Sequence, residues 1–220
     1  MLGRVFRYQG WLWRTLNTLT DIMALSVLWF LLSLPVLTLG AATAALYDSV
    51  VRCIRYKQPR PYARFFGTFK NELVPGALLT LLWGAVAALG LWMLALLRQY
   101  SAASPSAGAA GAAYYVALVV PLGAACWVFP TLSRCALGFG ALNATALKLA
   151  VGHLPSTVIL VLMTAELARL SVRWLYPLAF MPAVMMLLWS LFTEPVFKKH
   201  GAGISAPEEE DGAGAPDGGE

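Results

Sequence analysis

The sequence predicts an all-α protein: a polytopic transmembrane helical bundle of about five spanning helices, with short interfacial helices between them. Three observations carry that expectation. The 220 residues are 59% hydrophobic and only 12% charged, and the mean hydropathy is +0.68, whereas a soluble domain is about 25% charged. Long uncharged runs recur along the chain, which is the pattern of segments solvated by hydrocarbon. The cations fall between those runs, where they orient a membrane protein rather than mark a nucleic-acid surface.

The elements follow in order. Residues 1–20 place Val5, Tyr8, Leu12, Leu16 and Leu19 at helical spacing, with Arg4, Arg7 and Arg14 between them. Such a stretch is either an interfacial segment leading into the membrane or the extended start of the first spanning helix. Residues 21–199 form the transmembrane domain. Its first crossing is expected over Ile22–Leu46, which carries no charge and is long enough for a hydrocarbon core of about 30 Å. A cleaved secretion signal is the competing reading, since Ala42-Thr43-Ala44 has small-x-small form, but the apolar stretch far exceeds the 7–15 residues usual for one. Pro35 removes a backbone donor and is expected to kink this helix, with Ser33 nearby to re-satisfy the backbone. Gly40, Ala41, Ala44 and Ala45 then allow another helix to approach closely.

Leu73–Leu97 and Tyr114–Leu132 are the second and third crossings. Ser156–Phe192 is too long for one crossing and fits a helical hairpin, whose turn is expected near its charges Glu166, Arg169 and Arg173. Lys and Arg counted loop by loop over these five crossings come to ten on one side and six on the other, which points to an outside N-terminus and a cytoplasmic C-terminus. Residues 200–220 hold six acids, no cation and almost nothing apolar; they are expected to be a disordered acidic tail.

No phosphate-binding loop, zinc-protease helix, nucleophile elbow or paired CxxC occurs, and Gly138-Phe139-Gly140 lacks the third glycine and preceding strand of a dinucleotide site. Three cysteines at unrelated spacings argue against a disulfide framework or a metal site. The expectation is therefore a non-enzymatic chain with no cofactor and no nucleic-acid partner. Four residues remain as candidate functional positions. Glu166 is the acid inside an apolar run, where an ionisable group is a functional hypothesis by default; Arg169, three residues on, offers the structural alternative of a neutralising pair. Pro35, with Pro177 and Pro182, marks possible helix breaks around a transport site. His153 stands at the end of the short segment "ALNATALKLAVGHLP". Two cytosol-facing stretches, 52–72 and 134–155, are expected to meet the lipid bilayer or a protein partner.

The segments "LWFLLSLPVLTLGAATAALY", "FFGTFKNEL", "ALKLAVGHLP" and "FMPAVMMLLWSLFTEPVFKK", in that order and over about residues 21–199, resemble the YesL-like family of bacterial integral membrane proteins, a family of unknown function. The chain has Ala41 where members commonly have proline after the glycine. The resemblance implies a multi-pass protein of the bacterial plasma membrane whose genes often lie beside those for carbohydrate uptake. It carries over no catalytic residue. Subunits of an ABC-type sugar importer, met through residues 52–72 and 134–155, are the partners this suggests. A stand-alone small transporter or channel is the alternative.

Overall fold

The computed structural model describes residues 3–101, 105–135, 137–173 and 180–199. Among them there is no strand. Eight α-helices follow one another: α1 Gly3–Ser33, α2 Leu39–Ser49, α3 Pro61–Asn71, α4 Leu73–Ser101, α5 Pro105–Arg134, α6 Phe139–Gly152, α7 Leu154–Arg173 and α8 Met181–Lys199. Five helical stretches are long and apolar enough to cross a membrane: Leu16–Ser33, Val36–Arg55, Leu73–Gln99, Ala113–Arg134 and Leu154–Ser171. The chain is built as a membrane protein is. Leu89, Trp92, Val116 and Leu162, each more than half exposed, cover its outside, a coat that water solvates poorly and lipid solvates well.

The number five agrees with expectation, but the set differs, and the difference begins at Pro35. The stretch Ile22–Leu46 is not one kinked crossing. Helix α1 stops at Ser33, Pro35 takes an extended backbone (φ −72°, ψ 114°), and a single 3-10 turn at Val36–Thr38 leads into α2. Proline disfavours helical backbone in the residue before it as well as lacking its own N–H, so the helix cannot resume on the same axis. The hydroxyls close the turn: Ser33 donates to the Phe30 carbonyl, and Thr38 donates to the carbonyls of Leu32 and Pro35. Helix α2 then runs back along α1. Trp29 on α1 donates to Thr43 on α2 at 3.2 Å, and Asp21 and Asp48, one on each helix, are both held by α3. The pair is therefore a helical hairpin with both ends at the same end of the bundle.

Helix α1 is unbroken from Gly3, so residues 3–20 continue directly into the first apolar span. At the other end of the chain, the expected hairpin over Ser156–Phe192 appears as α7 and α8. No turn falls near Glu166, because α7 remains helical through Glu166, Arg169 and Arg173. Residues 174–179, which include Pro177, and the 200–220 tail lie outside the described residues.

Helix α2 is the centre of the bundle and packs against α1, α3, α4, α5 and α8. Its small residues make this possible. A Cβ on Gly40 would sit 2.5 Å from the Gly76 carbonyl, and one on Gly76 would sit 2.6 Å from the Ala41 nitrogen, so α2 and α4 cross at backbone contact. Thr80 seals the crossing by accepting from the Gly40 N–H at 2.9 Å and donating to the Gly76 carbonyl at 2.8 Å. Two further tryptophans tie helices together by side-chain bonds that lipid cannot compete for: Trp83 to Asn143 at 2.8 Å and Trp127 to Thr157 at 3.0 Å. After α2 a π-helical turn, Val50–Arg55, widens the backbone. Lys57 and Arg60 then take left-handed backbone (φ 56° and 66°), and Pro61 opens α3 at a position where its missing donor costs nothing.

Candidate functional site

The most polar place inside the protein lies where the end of α2, the π-helical turn, α3, α5 and α8 meet. Asp48 and Glu194 are 2% and 1% exposed, and the Arg134 side chain between them is 1% exposed. Charges so deep persist only when paired and hydrogen-bonded, and the geometry supplies both. Arg52, one turn after Asp48, donates its Nε to Oδ1 at 2.7 Å; Arg64 of α3 donates its Nε to Oδ2 at 2.8 Å; Thr68, one turn further along α3, donates to the same oxygen at 3.1 Å. Arg134, the last residue of α5, donates Nη2 to Glu194 Oε1 at 2.6 Å, and its Nη1 stands 3.9 Å from Asp48 Oδ1. Tyr47 and Tyr56 donate to the two oxygens of Glu194 at 3.1 and 3.2 Å, and the Tyr47 hydroxyl also bonds that of Thr193 at 2.7 Å. The Tyr47 ring lies 5.4 Å from the Arg134 guanidinium, a favourable cation–π placement. Arg55 adds a link from the π-helical turn to α8 through the carbonyl and hydroxyl of Ser190.

The cluster joins three guanidinium groups to two carboxylates. Each carboxylate oxygen has at least one donor, whereas Nε and Nη1 of Arg134 have no hydrogen-bond acceptor. It is an ionic clasp: it locks four helices at one end of the bundle, and it holds a buried cation between acids from two different helices. Among the described residues, no group of three or more His, Cys, Asp or Glu side chains comes together that could hold a metal. At the edge of this end, burial raises the Glu72 carboxyl and the Cys135 thiol above their usual ranges, and the bond to Asp21 raises the Tyr62 phenol.

The four residues singled out by sequence lie elsewhere and are not brought together. Glu166 and Arg169 form an ion pair of 3.1 Å on α7 with side chains 63% and 78% exposed. With Arg173 they line an open hollow of about 520 Å³. Pro35 forms the α1–α2 turn. His153 follows the last residue of α6, with its ring 6.3 Å from that of Trp127 and its carbonyl accepting from Thr157. Sequence reasoning passed over Asp48, Arg134 and Glu194. Asp48 carried one usable signal, an arginine four residues on; Glu194 carried another, as an acid set between apolar residues in "SLFTEPVF".

Residues 22–94 match the model of a family described as a protein of unknown function, DUF624. The match takes in the α1–α2 hairpin, α3, the Gly40–Gly76 crossing and the Asp48 half of the clasp. No curated protein and no solved structure matches the chain.

Proposed function

We propose that this chain is a non-enzymatic, multi-pass protein of the bacterial cell membrane that acts as an accessory or permease-like component of carbohydrate uptake. The observation that carries the architectural half is the clasp. It fixes α2, α3, α5 and α8 to one another at the end of the bundle that also presents residues 52–72 and 134–155, so those two stretches ride on a rigid base. Helix α6, within 134–155, turns Leu147, Lys148 and Val151 outward, and Leu154, the first residue of α7, is exposed just after it. A mostly apolar helix face with one cation is the kind of surface that seats in a groove of a cytosolic subunit. The carbohydrate half rests on the resemblance to YesL-like proteins and their gene neighbourhoods.

In-cell photocrosslinking from position 147 or 151 tests the reading. A subunit of a sugar importer, recovered in a form that disappears when Leu147 and Val151 are both changed to Asp, is the expected result. Crosslinks to lipid alone, or only to further copies of this chain, contradict it.

A second reading, a stand-alone transporter, draws on Arg134. A buried guanidinium placed between acids of α2 and α8, with two donors unfilled, is suited to exchanging partners as helices move apart. Liposomes containing the purified protein alone, which accumulate a sugar down its gradient, would favour this second reading over the first.

A further inference from the structure

The α1–α2 hairpin reverses the side on which the chain starts. Counted as one crossing, Ile22–Leu46 puts the N-terminus opposite α3. Folded back, it puts Asp21 within hydrogen-bond distance of Tyr62 on α3, and the three arginines before it on α1 fall on the α3 side of the bundle. That side then gathers Arg4, Arg7 and Arg14, the six cations of residues 52–70, Arg134 and Lys148, and the two lysines that close α8. These make thirteen of the sixteen Lys and Arg in the chain. The other end keeps only Arg98, Arg169 and Arg173. The division holds whether the hairpin tip, with Leu34, Val36 and Leu37 exposed, reaches the far interface or stops within the hydrocarbon.

We propose that this end of the bundle is one cationic surface that seats on the anionic phospholipid headgroups of the cytoplasmic leaflet, with the start of α1 and the end of α8 on that side. Helix α3 is its centre. Its inner face is fixed by Phe65, fully buried, by Arg64 and Thr68 on Asp48, and by Tyr62 on Asp21. Its outer face and the loop before it expose Lys57, Arg60 and Lys70 around Phe66 and the ring of Tyr62. Cations alternating with aromatic rings suit the boundary between phosphate and acyl chain, where the rings enter the lipid and the cations meet the anionic surface. An excess of cations of this size on one side also fixes that side as cytoplasmic. The surface does not rest on the uptake reading, because both arms of its test are scored without a partner.

The first arm labels intact cells with a membrane-impermeant maleimide, using full chains whose native cysteines are replaced by serine. Gln9→Cys and Lys199→Cys are expected to label only after permeabilisation, and Arg98→Cys before it. Labelling of Gln9→Cys in intact cells, or its reversal with Arg98→Cys, overturns the proposal. The second arm compares thermal unfolding of the purified protein in nanodiscs of phosphatidylglycerol and of phosphatidylcholine. The anionic lipid is expected to raise the midpoint, and the K57Q/R60Q/K70Q variant to lose most of that rise while matching the parent in phosphatidylcholine. Equal midpoints in the two lipids, or an equal rise in the variant, overturn it.

Discussion

Asp48 and Glu194 are two acids that the fold takes out of water, and Arg134 sets what that costs. Removing one partner of a buried pair leaves the other charge uncompensated, a loss of about 3–5 kcal/mol. Glu194→Gln is therefore expected to lower the stability of the detergent-solubilised protein by that order, read as a fall in the midpoint of thermal unfolding. Replacing both partners by apolar residues, Arg134→Met with Glu194→Leu, is expected to recover a large part of the loss, since no buried charge is then stranded. Glu166→Gln should shift stability by less than about 1 kcal/mol, because the Glu166–Arg169 pair is exposed. Equal effects at Glu194 and Glu166 would remove the clasp from the account. The contrast was not legible in the sequence for a physical reason. Glu166 stands out because its own helix is apolar around it, but burial is decided by which other helix arrives. Glu194 meets Arg134 across 60 residues, a distance that no local pattern spans.

The helices themselves were largely readable, because an uncharged run of sufficient length admits few alternatives in lipid. The runs Leu73–Leu97 and Tyr114–Leu132 fall inside α4 and α5. The α1–α2 hairpin was not readable, since Ser33, Pro35 and Thr38 look alike as a kink or as a turn. What separates the two is the pairing of Trp29 with Thr43 across the turn and the backbone contact of Gly40 on α2 with Gly76 on α4, which only the assembled bundle displays. Overpacking such a contact costs about 1–3 kcal/mol. Gly76→Ala is expected to destabilise by that order, read as unfolding in rising fractions of a denaturing detergent. Gly84→Ala, whose new methyl meets nothing within 4 Å, should be neutral or slightly stabilising, since alanine has the higher helix propensity. Thr38→Val removes the hydroxyl that serves two turn carbonyls and is expected to cost about 1 kcal/mol or more. A Gly76→Ala protein as stable as the Gly84→Ala protein would mean that α2 and α4 do not touch.

Across the whole molecule, composition alone placed the chain in lipid. Five stretches are long and apolar enough to span, as expected, but two come from a region expected to give one. Helix α8, the second arm of the expected hairpin, is not among them, although it brings the chain back to the clasp end. One additional reversal changes every conclusion about sidedness. It turns a charge division of ten against six into thirteen against three, and it brings the start of α1, α3 and the end of α8 to the same end as the clasp. The most direct measurement is the distance across the hairpin, by pulsed electron resonance in lipid nanodiscs, between spin labels on Thr20→Cys and on native Cys53, with Cys126 and Cys135 replaced by serine. Neighbouring antiparallel helices lie about 8–10 Å apart, so with the label arms a distance of roughly 20 Å or less is expected. A distance near 50 Å, the length of 33 residues of continuous helix at about 1.5 Å each, would restore the single crossing and contradict both the fold-back and the common side of the start of α1 and the end of α8.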